Sequence, residues 1–435
     1  MLIRGATLAD GRDRDVQIAD GVIVAVESRV DAKDDETILD ASEYHLLPGA
    51  IDAHVHFRVP GDPHKETWHS GSRSAAAGGV TTVVDQPNTA PPTVSGDAFD
   101  QKVTLTADSV VDWGINGGVT PDWEPESLFD RDLFALGEVF LADSTGEMGV
   151  SVEMFVEAVE QAAQRAIPVT VHAEDESLFD ESALTGDLGG TGRAAASDRW
   201  SAYRTADAEV AAIRQALQVG DHGAGIHIAH TSTPDGIDAV ADSEATCEVS
   251  PHHMFLSRAD HAALGTYSRM NPPLRDESRR EAVFQRVADG TVDIVATDHA
   301  PHTAAEKTAS LDEAPSGVPG VETMLPLLLG AVRREELTLE RVRDVTAATP
   351  ASLFDIPHKG AIEVGRDADL VVVDLGSETE IRASELHTNV EWTPFEGKTG
   401  VFPERTLVRG QTVYDRDEPT GSEFGPSIGQ NVRNA

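Results

Sequence analysis

The sequence predicts an α/β protein, a TIM-like (β/α)8 barrel with a small β-sandwich domain formed by both chain termini. Two observations lead to this prediction. The middle of the chain alternates short apolar runs with longer Ala-rich stretches of helical character, as parallel sheets covered by helices do. Both ends contain strand-like runs separated by turns. A doubly wound open sheet is the alternative arrangement for the middle of the chain.

The amino-terminal part has the pattern of β-hairpins. Asp10-Gly11 and Asp20-Gly21 lie between the runs LIRGATLA, VQIA and VIVAVE. Asp-Gly between apolar runs is a strong hairpin signal, because both residues tolerate the backbone angles of a tight turn. The run GAIEVGRDADLVVVDL near the other end is similarly rich in strand-forming residues, so we expect one small sheet built from both termini.

Eight apolar runs in the middle of the chain match the eight strands of the barrel. They are HLLPGAIDA, VTTVVDQ, VDWGINGGV, LGEVFLA, IPVTVHA, GIHIAHT, TCEVSP and VDIVATD. Eight such units over about 250 residues is the usual size of this fold. We therefore assign residues 48–349 to the barrel, and residues 1–47 together with 350–435 to the β domain.

Residue types that bind metals or substrates end most of these runs. Active sites of barrel enzymes lie at the carboxyl ends of the strands, so these side chains would meet at one rim. They are His54, His56, Asn88, Glu138, Asp143, His172, His230, His252, His253, Asp298, His299 and His302. Any one of them could be structural, but their shared position at so many strand ends favours a common site.

His54 and His56 are two residues apart, so on a strand both imidazoles point to the same side. His172 and His230 would add nitrogen ligands, and Asp298 an oxygen ligand. Imidazole and carboxylate together suit Zn²⁺. Fewer than four protein ligands per ion would leave room for water, which indicates catalysis.

Two of these assignments have alternatives within their own motifs. In GIHIAHT, His227 competes with His230, and we prefer His230 because it is nearer the end of the strand. In ATDHAPH, Asp298 beside a metal can take a proton from water and later deliver it to a leaving nitrogen. The alternative is that Asp298 is only a ligand, or caps the following helix.

The composition excludes several classes of partner and site. With 34 Lys and Arg against 75 Asp and Glu, the net charge is −41, which repels nucleic acid and anionic membranes. No apolar run is long enough to span a membrane and no secretory signal is visible, so we expect a cytoplasmic protein. Cys247 is the only cysteine. It rules out an internal disulfide and a Cys-rich zinc site, and we expect it to be a buried thiol.

The motifs together resemble the dihydroorotase family of cyclic amidohydrolases, in the amidohydrolase superfamily. PGAIDAHVHFRVPG (48–61) is similar to the family signature around the first metal pair, and AAAGGVTTVVDQPNTAPPT (75–93) to its second strand and Pro-Asn-Thr turn. IHIAHTST, CEVSPHHMFL, MNPPLR and ATDHAPHTAAEK resemble further blocks in the family's order, and KGAIEVGRDADLVVVD resembles the tail of the wider group. The resemblance covers most of the chain.

The resemblance implies a hydrolase that reversibly converts (S)-dihydroorotate to N-carbamoyl-L-aspartate with zinc, in pyrimidine (UMP) biosynthesis. It implies metal ligands at His54, His56, His172, His230 and Asp298, with Asp298 also the general base. The implied substrate contacts are Arg58, Asn88, Asn271, His302, Ser316 and Gly317. Arg58 fits on physical grounds too, because a guanidinium binds a carboxylate through two hydrogen bonds, and dihydroorotate carries one.

The fourth strand departs from the family pattern. Many relatives carry a lysine there that becomes carbamylated and bridges two zinc ions, whereas this chain has Glu138. Glutamate is shorter but offers the same two oxygens, so we place the bridging ligand there and expect two Zn²⁺ per subunit. Asp143 is the alternative ligand. A single-ion site, with Glu138 only hydrogen-bonded to a histidine ligand, is the alternative arrangement.

Two other functions compete with this interpretation. An allantoinase or hydantoinase-type enzyme would share the scaffold, but its substrate lacks the side carboxylate, which leaves Arg58 without an obvious role. A non-catalytic, dihydroorotase-like pseudo-enzyme would be expected to have lost metal ligands, which this chain retains apart from the fourth strand. The expected partner is a small-molecule substrate, and a homo-oligomer is compatible with the sequence, which does not fix the oligomeric state.

The acidic composition predicts salt-dependent stability. The excess of acidic residues, with basic residues that are mostly Arg, resembles cytoplasmic proteins of halophilic organisms. Salt screens the repulsion among these charges, so we expect the unfolding temperature to rise by several degrees from low to molar salt in calorimetry. Equal unfolding temperatures at both ends of the salt series would contradict a halophilic origin.

Overall fold

The computed structural model describes residues 1–143, 148–185, 193–220, 225–419 and 421–434. Its strands are β1 (Leu2–Leu8), β2 (Asp13–Ala19), β3 (Val22–Glu27), β4 (Ile38–Asp40), β5 (His45–Pro48), β6 (Ala50–Val55), β7 (Val80–Asp85), β8 (Asp112–Ile115), β9 (Leu136–Phe140), β10 (Val169–His172), β11 (Ile226–Ile228), β12 (Thr246–Val249), β13 (Ile294–Val295), β14 (Leu370–Val373), β15 (Thr379–Glu380), β16 (Thr399–Gly400), β17 (Pro403–Val408) and β18 (Gln411–Asp415). Its helices are α1 (Trp68–Ala77), α2 (Gly96–Leu105), α3 (Pro125–Phe129), α4 (Val152–Ala163), α5 (Glu181–Thr185), α6 (Arg193–Tyr203), α7 (Ala206–Gly220), α8 (Pro234–Ala241), α9 (Pro251–Phe255), α10 (His261–Leu264), α11 (Glu277–Asp289), α12 (Ala304–Lys307), α13 (Met324–Arg333), α14 (Leu339–Arg343) and α15 (Thr349–Leu353).

The parallel strands β6 to β13 form a closed barrel, which confirms the predicted fold class. β6, β7 and β8 are hydrogen-bonded in that order, and so are β9 to β13. The two sheets meet where Gly117 pairs with Leu136, and where Val55 pairs with His299. Each of the eight predicted runs contains one barrel strand. The carboxyl ends of all eight strands therefore lie at one rim.

The first predicted run differs in one respect, because it contributes to two sheets. HLLPGAIDA divides at Gly49 into β5, which pairs with β1 and β14, and β6, which pairs with β7. A side chain at Gly49 would place its Cβ 2.1 Å from Thr81 Oγ1. Glycine is therefore required where the chain passes from one sheet to the other.

Helices follow the barrel strands and cover the outside of the barrel. Hydroxyl or carboxylate side chains accept hydrogen bonds from the first turns of five of these helices, which fixes where each helix begins. These capping residues are Thr67, Ser95, Ser151, Thr233 and Asp276. Apolar residues of strands and helices then share one core, for example Val83 and Val171 with Ile213 and Leu328.

Strands from both ends of the chain form a second sheet. Its order is β18-β17-β14-β5-β1-β2-β3, with β4 paired to β1. Ile3, Val16, Ile23, Leu46 and Val372 belong to one buried cluster, so the sheet bends around a shared core. This is the terminal β domain that the hairpin pattern predicts, while the exact domain limits stay a prediction.

The chain's thiol and its helices agree with the composition. Cys247 in β12 is a buried free cysteine, and burial raises its pKa, so the thiolate is disfavoured. Across the described residues, every helix is too short or too polar to cross a bilayer.

A buried charge cluster links β8 of the barrel to the terminal sheet. Lys359 Nζ lies 2.7 Å from Asp112, 2.5 Å from Asp369 and 3.2 Å from Asp367. Arg409 also pairs with Asp112. Burial lowers the pKa of Lys359, but the charges of Asp369 and Asp112 outweigh burial and raise it above its usual value. Three carboxylates that could bind a metal ion thus surround an ammonium group instead.

Removing this ammonium should destabilise the protein strongly. In Lys359→Met the carboxylates of Asp112 and Asp369 would stay buried without their main partner, which costs roughly 3–5 kcal/mol of unfolding free energy. Denaturant unfolding measures the difference. Lys33→Met, at an exposed lysine, is the matched control and should change little. Equal stability of the two variants would contradict a structural role for the cluster.

Candidate active site at the barrel rim

The carboxyl ends of the barrel strands surround a cavity. Most of its lining consists of residues that the sequence places at strand ends or in the family motifs. The lining residues are His56, Arg58, Asn88, Glu138, Phe140, His172, His230, Asn271, Asp298, Ala300, Ser316 and Gly317. The structure therefore brings together residues that are up to 261 positions apart, between His56 and Gly317.

Glu138 lies at the centre of the histidines. Its Oε1 is 2.6 Å from His230 Nε2 and 2.9 Å from His172 Nδ1, and its Oε2 is 3.4 Å from His54 Nε2. Two groups of possible metal ligands are present, and within each group the ligand atoms lie within 4.8 Å of one another. One group contains His54 and His56, and the other contains His172 and His230. Glu138 belongs to both groups, so its carboxylate can serve two neighbouring cations.

Asp298 stands beside the first group. Its Oδ1 is 3.0 Å from His56 Nε2 and 3.7 Å from His54 Nε2. Burial raises the pKa of the Asp298 carboxyl, but the hydrogen bond from His56 and the charge of His54 outweigh burial and hold the pKa below its usual value. The carboxylate form, which can bind a cation or accept a proton, is therefore favoured.

The donor set fits a divalent metal such as Zn²⁺. His54 Nε2 is buried and has no hydrogen-bond partner in the described structure, although it faces the carboxylates of Glu138 and Asp298. A buried polar atom of this kind is costly unless something binds it. Imidazole nitrogens and carboxylate oxygens are common zinc ligands, and these three side chains with His56, His172 and His230 provide them.

Two buried carboxylates contact ring nitrogens of His54 and His172 and so orient these imidazoles. Glu248 Oε1 lies 2.6 Å from His54 Nδ1, and Glu174 Oε2 lies 2.9 Å from His172 Nε2. Burial lowers the pKa of His172, but Glu138 and Glu174 outweigh burial and raise it to about 9. Such partners fix which imidazole nitrogen faces a metal. Sequence reasoning missed both, although Glu248 lies inside an apolar strand and Glu174 two residues after His172.

Gln86 holds the backbone of Glu138 in place. Its Oε1 accepts hydrogen bonds from Glu138 N and from Asn116 Nδ2, both at 2.9 Å. Its Nε2 donates to the carbonyl of Ala53 at 3.2 Å. One buried amide thus connects β6, the segment after β8, and β9 directly under the ligand cluster. The sequence gives no signal for this role beyond the position of Gln86 at the end of β7.

Arg58 is a buried guanidinium that faces the cavity. It donates to the carbonyl of Pro301 at 3.2 Å, and its Nη2 lies 3.0 Å from His302 Nε2. His302 Nε2 also lies 2.9 Å from the carbonyl of Ser316. No carboxylate among the described residues lies at ion-pairing distance from Arg58, which is only 7% exposed. A buried cation without an anionic partner favours an anionic ligand.

Asn88 is oriented by a metal-ligand candidate. Its Oδ1 lies 2.7 Å from His56 Nδ1. If His56 Nε2 binds a metal, Nδ1 carries the proton and donates to Asn88 Oδ1. The amide nitrogen of Asn88 then points away from His56, and Asn88 lines the cavity as a hydrogen-bond donor.

The competing ligands lie outside the cluster. Asp143 is exposed, and its Oδ1 accepts a hydrogen bond from Gly149 N at 2.6 Å. His227 lies inside the barrel between Thr246 Oγ1, at 2.8 Å, and Glu248 Oε2, at 3.2 Å. Glu138 and His230 are the members of these two pairs that lie in the cluster, and their role as ligands stays a prediction.

The chain is similar in sequence and in overall structure to several known proteins. A protein-family model described as "Amidohydrolase family" matches residues 45–413 of this chain. A dihydroorotase of Halobacterium salinarum is 61% identical in a match that covers 99% of this chain and 99% of the relative. A dihydroorotase of Methanosarcina acetivorans is 41% identical in a match that covers 95% of this chain and 92% of the relative. The solved structure of an L-hydantoinase (dihydropyrimidinase) from Arthrobacter aurescens superposes with a TM-score of 0.92 at 28% identity, covering 99% of this chain and 98% of its own.

Proposed function

This chain belongs to the amidohydrolase family, and we propose from that premise how its cavity carries out the dihydroorotase reaction. The activity is the reversible hydrolysis of the cyclic amide of (S)-dihydroorotate to N-carbamoyl-L-aspartate. The observation that carries the proposal is Arg58, a buried cation without a carboxylate partner among the described residues, beside a cluster of metal-ligand side chains. This pairing suits a substrate with a reactive amide and a carboxylate on one small ring.

The proposed cofactor is Zn²⁺, with two ions per subunit. His54, His56 and Asp298 would hold one ion, His172 and His230 the other, and Glu138 would bridge them. When bound, such ions lower the pKa of a water molecule to about 7 and polarise a carbonyl. The shared position of Glu138 supports two ions over one.

Asp298 is the proposed general base. Its Oδ1 lies 3.0 Å from His56 Nε2, a position from which the carboxylate would accept a proton from the attacking water. As the ring C–N bond breaks, the same group would return that proton to the amide nitrogen. In the reverse direction Asp298 would take the proton from the ureido nitrogen that closes the ring.

The substrate-binding residues are proposed to hold the ring beside the metal ligands. Arg58, Asn88 and Asn271 would bind the carboxylate, and His302 the ring region. The backbone of Ser316 and Gly317, which also lines the cavity, would contact the ring. Positioning of this kind contributes to rate because the amide carbonyl is held next to the reacting water.

The competing functions are weaker on the same observations. Hydantoin and allantoin lack the side carboxylate, so an enzyme for either would leave the Arg58 guanidinium buried without an anion. A pseudo-enzyme would have no need for Glu174 and Glu248, which orient His172 and His54. Both observations favour a catalytic site for an anionic ring.

The cellular setting is also proposed. The reaction would serve pyrimidine biosynthesis in the cytoplasm of a halophilic organism, in line with the net charge of −41. The partner would be the small-molecule substrate, without nucleic acid or membrane, and further copies of the chain could form a homo-oligomer.

Metal analysis of two variants tests the bridging role of Glu138. We expect Glu138→Ala to lose at least one of two zinc ions per chain, because both ions lose a shared oxygen ligand. Asp143→Ala removes an exposed carboxylate of the same segment and should retain both ions. The measurement is plasma mass spectrometry of the purified proteins. Loss of zinc from Asp143→Ala alone would show that the bridging ligand had been misassigned.

Replacing the guanidinium tests the choice of substrate. Arg58→Gln should lower kcat/KM for dihydroorotate by about 100-fold or more, because a buried charge-assisted contact to the carboxylate is lost. Arg12→Gln, at an exposed arginine, is the matched control. Steady-state assays in both directions measure the effect. A higher kcat/KM of the wild-type protein for hydantoin or allantoin than for dihydroorotate would contradict the proposal.

A further inference from the structure

Trp200 contacts the substrate side of the cavity from a helix outside the barrel strands. Its indole Nε1 donates to Asn271 Oδ1 at 2.9 Å and lies 3.2 Å from the carbonyl of Met270. Trp200 belongs to α6, and it is not among the side chains that line the cavity. Trp200 therefore contacts Asn271 on the side away from the cavity.

The chemistry of the indole fixes how the Asn271 amide is turned. An indole N–H can donate a hydrogen bond but has no lone pair with which to accept one. Its partner must be the amide oxygen, so the amide nitrogen of Asn271 is directed away from Trp200. Asn271 lines the cavity, and this orientation presents a donor to the substrate side.

One contact of the indole ring and two contacts of neighbouring residues in α6 hold Trp200 in place. The guanidinium of Arg269 lies 3.9 Å from the centre of the indole ring, a cation–π arrangement. On either side of Trp200, Asp198 pairs with Arg258 at 2.8 Å, and Ser201 Oγ lies 3.0 Å from His261 Nε2. The indole N–H therefore has a defined position relative to the barrel rim.

We infer that Trp200 is a positioning residue that turns the Asn271 amide into a donor for the substrate carboxylate. The inference rests on the proposed function. If His56 Nε2 binds a metal, His56 Nδ1 turns the amide of Asn88 in the same way, so two amide nitrogens and the guanidinium of Arg58 would face one ligand. Three donors match the several acceptor sites of a carboxylate, and they disfavour a ring without that group.

The test separates this role from simple packing. Trp200→Phe keeps an aromatic ring against Arg269 but removes the indole N–H. We expect KM for dihydroorotate to rise by about tenfold, the effect of losing one aligned hydrogen bond to a charged group. We expect kcat to stay within about twofold, and the zinc content and unfolding temperature to stay at wild-type values. Trp123→Phe, at a tryptophan that packs on Phe129, is the matched control.

A double-mutant cycle gives the second readout. If Trp200 acts through Asn271, Trp200→Phe should add no further rise in KM once Asn271→Ala is present. Unchanged KM in Trp200→Phe, additive effects in the double variant, or loss of zinc and of thermal stability would each overturn the inference. A wild-type protein with no activity on dihydroorotate would overturn the proposed function, and the inference with it, before any variant is compared.

Discussion

The structure depends on one buried carboxylate that several positively charged or metal-binding groups share. Glu138 has almost no solvent access and makes close contacts with His54, His172 and His230. Burial alone would raise the pKa of Glu138, yet the nearby histidines hold it well below its usual value. A buried anion is stable only with compensating positive charge, and a pair of cations between these ligands would supply it.

The barrel brings these side chains together because its strand ends converge. The backbone angles at the site show that the surrounding structure constrains these positions. Three residues of the site have left-handed backbone angles, with φ of 64° at Arg58, 34° at His230 and 49° at Asp298. Such conformations are unfavourable for residues other than glycine and persist only where the surrounding structure enforces them. Glu248 shows part of that enforcement, because its Oε1 accepts a hydrogen bond from His230 N at 3.2 Å and also lies 2.6 Å from His54 Nδ1.

The sequence predicted what depends on local pattern. The alternation of apolar runs with helical stretches located the eight barrel strands, and the strand-end position of His54 and Asp298 placed them at one rim. Glu138 could be preferred over Asp143 because it stands where relatives carry a bridging lysine. The contacts of Gln86 and Trp200 could not be predicted, because they join segments distant in the chain and neither residue type is diagnostic of a site. The division of the first run between two sheets was missed because both halves are equally apolar.

The central claim is that Glu138 bridges two metal ions at the barrel rim. Anomalous X-ray diffraction from crystals of the zinc-loaded protein, collected at the zinc absorption edge, tests it most directly. The account predicts two anomalous peaks on either side of the Glu138 carboxylate, one near His54 and His56 and one near His172 and His230. A single peak, or peaks that Glu138 does not contact, would contradict it.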